Sequence, residues 1–301
     1  MNQLKVRNSL LLFVAAFIWG TAFVAQSVGM DYIEPFTFST LRSLIGSAFL
    51  VPCIWLLGKR KQTGNRKEED KKELLKGGIA CGVVIFTAAN LQQVAMLYTS
   101  VGKSGFLTAL YIVIVPIIGI FLGKKPGKKL CVAVILAVVG LYLLCMKTGS
   151  LKLEFGDILL LLSACAFSVH IMVIDHFTQR ADGVKLSCIQ FFVCGILSFF
   201  VMLFLEHPSA AAVFRAAGPL LYVGVLSSGV AYTLQIVGQK GMNPVVASLI
   251  MSLESVISAV AGWAVLGQVL SGREMAGCVV MFLSIILAQL PEKVELSPES
   301  C

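Results

Sequence analysis

Long apolar runs separated by short charged loops set the pattern of this chain. Ten runs stand out, at 9–28, 35–57, 77–98, 103–122, 129–146, 156–177, 185–205, 217–239, 244–266 and 273–290. A helix that spans a bilayer needs about 20 mostly apolar residues. Only helices and closed barrels satisfy their backbone in hydrocarbon. Barrel strands alternate apolar and polar positions over about ten residues, and runs this long and continuous do not. The pattern predicts an all-α membrane protein of ten transmembrane helices. The longest polar stretch, Lys59 to Lys76, reads as a charged loop extending one helix end, and no segment suits a soluble domain. Lys5 and Arg7 precede the first run as in a signal peptide. That run is too long for an h-region and no A-x-A-type site follows it, so it reads as the first membrane helix.

Loop charge orients these helices. With a cytoplasmic N-terminus, 18 Lys and Arg fall on the cytoplasmic side and 5 on the other, with Arg42 inside a helix. Cytoplasmic loops carry the excess of Lys and Arg, so both termini are expected in the cytoplasm of a bacterial-type inner (plasma) membrane. The bias is strong in the first half and weak in the second.

Sliding the chain along itself exposes a repeat. At an offset of 143, residues 91–124 align without gaps on 234–267, with seven identical pairs that include Leu91/Leu234, Gln92/Gln235 and Gly119/Gly262. Leu and Val matches are cheap between membrane helices; the Gln pair weighs more, because polar residues are scarce there. An offset of 148 matches the first helix to the sixth, Ala16 to Ala164. Two units follow, 1–148 and 149–291, with a short cytoplasmic tail at 292–301. Five helices per unit is an odd number, so the second unit enters from the opposite side. Inverted repeats of this kind are typical of alternating-access transporters.

Composition agrees. Hydrophobic residues make up 57% of the 301 positions and charged ones 13%, against roughly 45–50% and 25% in soluble domains. The formal charge of +8 is distributed over short loops, without a basic stripe and interleaved aromatics, which argues for lipid and insertion rather than nucleic acid. Of nine cysteines, Cys53, Cys81, Cys131, Cys145, Cys165, Cys188, Cys194 and Cys278 lie in apolar runs and Cys301 ends the chain. None forms a CxxC pair, and they read as small buried hydrophobes.

The chain resembles the drug/metabolite transporter superfamily, EamA type, as two EamA-like units. The matching pieces are Trp19-Gly20-Thr21, Pro35 and Arg42, Leu97-Tyr98-Thr99-Ser100, Gly105 through Tyr111, Pro116 and Gly140-Leu141-Tyr142. In the second half they are Ser252 through Val256, Leu266-Gly267-Gln268 and Gly277. Their order and spacing carry the resemblance. It implies a ten-helix fold whose central cavity is lined mainly by helices three, four, eight and nine, with one and six. It implies transport of metabolites, amino acids or drugs, often outward. Two departures stand out: Ser255 where the family commonly has Pro, and Gln268 where it commonly has Glu. A role assigned to that Glu in relatives does not carry over.

Charge at a helix centre costs about 2.5–3.5 kcal/mol on insertion scales and marks a functional candidate by default. Glu254, eleven residues into the ninth helix, is one such group. It reads either as a proton-titrating or solute-binding carboxylate, or as a structural hydrogen-bond acceptor between helices. Arg42, about seven residues into the second helix, reads as a gating or structural ion-pair residue ahead of a solute anchor, and the two charges are candidates to pair in one state of a cycle. Thr108 and Tyr111 share a helix face with Ser104; Tyr232, Gln235 and Gln239 share another; Asn90, Gln92 and Gln93 cluster in the third helix. Such groups lack partners in lipid and face inward, as interhelical hydrogen bonds or as a cavity wall. Trp19 and Tyr111 either stack on a solute or pack the core. His170 reads as a packing residue, and Pro116 is expected to kink the fourth helix.

No phosphate-binding loop, metal-ligand motif or nucleophile elbow is present. No cofactor and no metal are expected. The reading is a secondary transporter, not an enzyme: an exporter of a small metabolite or amino acid, with protons as the candidate coupling ion, acting as a monomer or homodimer. The alternative is an integral membrane enzyme or lipid-handling protein without transport.

Overall fold

The computed structural model describes residues 3–60, 71–99, 101–123, 127–145, 154–266 and 271–289. The junction at 148–149, the tail 292–301, Gln268 and most of the polar loop lie outside the described residues.

All regular structure among the described residues is helical. The elements are α1 (Gln3–Met30), α2 (Pro35–Arg60), α3 (Lys71–Ala95), α4 (Val101–Ala109), α5 (Tyr111–Phe121), α6 (Lys128–Cys145), α7 (Phe155–Phe177) and α8 (Gly183–Leu205). There follow α9 (Ala210–Arg215), α10 (Ala217–Leu221), a π-helical segment (Tyr222–Ala231), α11 (Tyr232–Gln239), α12 (Pro244–Met251), α13 (Leu253–Leu266) and α14 (Gly272–Gln289). Among the described residues eight spans are long and apolar enough to cross a bilayer; these include Ser104–Phe121, in α4 and α5, and Pro244–Val265, in α12 and α13. The predicted fifth and tenth segments fall on α6 and α14, outside those eight.

Local sequence explains several helix starts. Asp182 accepts from the amides of Val184 (3.0 Å) and Lys185 (3.3 Å) at the head of α8. Asn243 caps α12 through the Val245 amide at 2.9 Å, with Pro244 in the first turn, where its missing N–H costs nothing. Gly123 and Gly241 adopt φ of 78° and 73°, the left-handed backbone that turns the chain after α5 and after α11. The cap of α2 is tertiary. Glu206, just past the end of α8, accepts from the amides of Phe36 (2.8 Å) and Thr37 (2.6 Å) and from the Thr37 hydroxyl (2.7 Å).

The long helices pack in a distinct scheme. α2 lies along α8, α6 along α14, and α3 between α7 and α8; α1 packs against α13, the π segment and α11. Lipid offers no hydrophobic drive between helices, so close approach at small residues must supply the contact. Gly20 lets α1 meet α13: an added Cβ would stand 2.6 Å from the Ile257 Cβ and 2.8 Å from the Glu254 carbonyl oxygen. Gly46 does the same for α2 and the π segment, where a Cβ would come within 2.7 Å of the Ser228 Cβ. The outer surface is apolar, with Phe121, Phe204 and Phe214 each more than 80% exposed, a face suited to acyl chains rather than water. Cys81 and Cys194 are buried, whereas Cys131 and Cys165 sit exposed on that outer face, unlike the buried reading of all the membrane cysteines.

Candidate functional site

Two spans are interrupted at mid-length. Leu110 separates α4 from α5 with φ −62° and ψ −8°, and Ser252 separates α12 from α13 with φ −62° and ψ −10°. Proline does not cause the first interruption: Pro116 lies inside α5, six residues beyond it. Tyr111 opens α5 and Glu254 is the second residue of α13. The Tyr111 hydroxyl donates to Glu254 Oε1 at 3.0 Å, so the two spans are joined immediately after their interruptions.

Around this bond is a cavity between the helices. Trp19, Phe23 and Gln26 reach it from α1, at the i, i+4, i+7 spacing of one helix face. Arg42 comes from α2, Gln92 from α3, Thr108 from α4, and Phe167 and Ile171 from α7. Ser227 of the π segment, Tyr232 and Gln235 of α11 and Met251 of α12 complete it with Tyr111 and Glu254. π-helical turns are rare and concentrate at functional sites, and this one faces the cavity.

The two charges rest on separate neutral partners. Arg42 Nη1 donates to Gln26 Oε1 at 2.7 Å, while Glu254 accepts from Tyr111. The expected Arg42–Glu254 ion pair is not formed in this conformation, although both side chains, about 5% exposed, line one cavity. Gln92 Nε2 donates to Thr108 Oγ1 at 3.0 Å, tying α3 to α4. Tyr232 is the aromatic centre, with ring centroids 4.7 Å from Trp19 and 5.0 Å from Phe191. Three buried polar atoms of the lining have no hydrogen-bond partner among the described residues: Trp19 Nε1, Arg42 Nε and Gln235 Oε1. A buried polar group left unpaired is costly, and these three amount to two donors and one acceptor.

Of the residues singled out from sequence, Glu254, Tyr111, Gln92, Gln235, Thr108, Trp19, Tyr232 and Arg42 all lie at the cavity. Gln239 does not: its Nε2 reaches the Ile171 carbonyl at 3.4 Å, one turn further along α11. Asn90 turns away to Ser198 Oγ at 2.9 Å, and His170 packs with Gln190 at 3.0 Å. Among the described residues no group of three or more His, Cys, Asp or Glu converges as metal ligands do.

Six lining residues were missed. Ten of the fourteen lining positions form pairs at the offsets of the self-alignment: Trp19/Phe167 and Phe23/Ile171 at 148, Gln92/Gln235, Thr108/Met251 and Tyr111/Glu254 at 143. Applying those offsets to Trp19 and Thr108 would have named Phe167 and Met251. Phe23 and Gln26 were legible from the α1 face, and Ile171 then follows from Phe23. Ser227 has no signal in the sequence.

Comparison with known proteins finds a matching family, similar transporters and a shared fold. The model of the EamA-like transporter family matches the chain twice, over residues 7–146 and 154–290. An uncharacterized transporter of Archaeoglobus fulgidus is 30% identical over 282 residues, covering 93% of this chain and 84% of that protein. The uncharacterized transporter YwfM of Bacillus subtilis is 23% identical over 301 residues, covering 97% of each. A solved crystal structure shares the fold with a TM-score of 0.77 at 17% identity, covering 94% of this chain and 96% of that one.

Proposed function

We propose that this chain, which belongs to the EamA-like transporter family, is a secondary carrier that exports a small metabolite or amino acid by alternating access. A transporter of this family is a multi-pass membrane protein with a small-molecule solute and a bilayer as its partners. The finer reading has ten spans in two inverted five-helix units, 1–148 and 149–291, with both termini cytoplasmic in a bacterial-type plasma membrane.

The paired lining of the cavity carries the proposal. In carriers built from inverted repeats, the solute site lies at the interface of the repeats, beside discontinuous helices. Here two interruptions 142 residues apart share one backbone geometry, and the cavity they flank draws paired positions from both halves. Helix contacts favour the same arrangement. α2 on α8 and α6 on α14 are self-matching contacts under such an exchange, while α3 on α7 corresponds to the π segment on α1.

The chemistry of the lining favours a carrier over an enzyme. A catalytic site needs a nucleophile or acid–base pair held within hydrogen-bond reach of one reacting atom. The cavity offers amides, hydroxyls, aromatic faces and two separated charges, which suit recognition of a small polar solute. In this proposal Arg42 and Trp19 donate to an anionic or carbonyl group of the solute, and Gln235 and Glu254 accept from its donors. Glu254 exchanges its Tyr111 bond for solute or for a proton, which makes protons the coupling ion.

Flux through liposomes containing the purified chain tests the reading. Accumulation of at least one member of a broad metabolite panel, dependent on Glu254, is expected. A folded chain that moves none of them overturns the carrier proposal.

A further inference from the structure

A second concavity lies on the outside of the molecule. It is bounded by Val113, Ile117 and Ile120 of α5 and by Leu130 and Val134 of α6, with Val245 of α12 as its floor. All nine side chains lining it are hydrocarbon or thiol. From Ile120 to Val113 it runs about 10 Å along α5, at 1.5 Å per residue. Around its rim Ile117, Ile120 and Ile135 are 46–62% exposed. Phe121, next to the groove, and Phe204 on α8 are more exposed still, at 86% and 83%.

A basic end distinguishes this groove from ordinary lipid-facing surface. Leu130 and Cys131 in its lining directly follow Lys128 and Lys129, the first two residues of α6. Lys128 is exposed at that mouth. The turn that brings α6 back against α5 depends on Gly123, whose φ of 78° suits glycine. Two lysines and a helix N-terminus therefore adjoin one end of a concave hydrocarbon slot.

We propose that this groove is a binding site for one anionic phospholipid, distinct from the central cavity. An acyl chain lies between α5 and α6 on Val245, where it meets side chains on three sides and gains more dispersion contact than on a convex face. The acidic headgroup sits at Lys128 and Lys129, where basic residues at the membrane surface and the positive end of α6 both attract it. The site requires only that α5 and α6 lie in a bilayer, so it stands or falls independently of the transported solute.

Native mass spectrometry of the detergent-solubilised full chain, titrated with phosphatidylglycerol or phosphatidylcholine of equal chain length, tests it. Wild type is expected to retain phosphatidylglycerol at least about fivefold better, the scale set by lysines at a charged lipid surface. The double variant K128Q/K129Q is expected to lose that preference. Val134→Trp, which fills the slot, is expected to lose retention of the lipid itself, with Ile117→Trp as a second filling variant if the first unfolds on heating below wild type. Equal retention of the two lipids by wild type overturns the proposal. So does a preference that survives in K128Q/K129Q, or phosphatidylglycerol retention undiminished in both filled variants. Displacement of the lipid by inorganic phosphate alone would reduce the site to a simple anion contact and also overturns it.

Discussion

The two interrupted spans share a backbone and differ in chemistry. Leu110 and Ser252 break their helices at nearly the same dihedral angles, and each break is followed within two residues by a polar group turned into the cavity. In α5 that group is the neutral phenol of Tyr111; in α13 it is the carboxylate of Glu254. The surroundings differ too. α1 crosses α13 at Gly20, where no side chain fits, whereas the position 148 residues on is Ser168, whose hydroxyl bonds back to the Ala164 carbonyl at 2.7 Å. Equal backbones with unequal side chains imply that geometry is common to both spans and that any charge-dependent step belongs to one of them.

The comparison breaks most severely at the helix crossing. Gly20→Val drives a Cβ into Ile257 and the Glu254 carbonyl and is expected to cost about 1–3 kcal/mol, read as a lowered unfolding temperature in detergent with solute stabilisation lost. A variant as stable as wild type would show that α1 can part from α13 without cost. Next comes the carboxylate. Glu254→Gln keeps the shape and is expected to cut solute flux at least about tenfold, or ~1.4 kcal/mol. It should also remove any pH dependence of the solute-induced rise in unfolding temperature. A pH response that persists in this variant removes Glu254 as the coupling site.

Tyr111→Phe is gentler. It removes one hydrogen bond while leaving the carboxylate, and a loss of about fivefold in apparent solute affinity is expected, in line with ~1 kcal/mol for such a bond. If Tyr111→Phe were as damaging as Glu254→Gln, the two spans would be chemically equivalent and the contrast would fail. The smallest effect is expected at Gln239, which is outside the cavity lining. Gln239→Ala should change flux by less than about twofold, since Gln239 is outside the cavity lining and its bond to the Ile171 carbonyl is long.

Much of this site is legible in the sequence, because polar residues in hydrocarbon have few places to go. Glu254, Arg42, Gln92, Gln235 and Tyr111 stood out as costly groups in apolar runs, and all face the cavity. Gln239 stood out for the same reason and lies elsewhere: helical periodicity places it near Gln235, while the end of α11 carries it past the cavity to a backbone carbonyl. Periodicity gives a face, not the depth at which that face meets another helix. The interruption at Leu110 was invisible too, since neither Gly nor Pro marks it and Pro116, the evident candidate, stays inside α5.

The sequence by itself determined membrane residence, the boundaries of most spans, the internal offsets of 143 and 148, and the scarce groups that could do chemistry. These follow from burial cost and chain periodicity, which act within one segment at a time. Tertiary structure alone decided that Arg42 leans on Gln26 instead of Glu254, that Glu206 caps a helix 170 residues away, that Tyr222 to Ala231 winds as a π-helix, and that residues 111 and 254 meet. Those outcomes depend on which of several acceptable neighbours a group finds when separate helices pack, and nothing local to a segment ranks them.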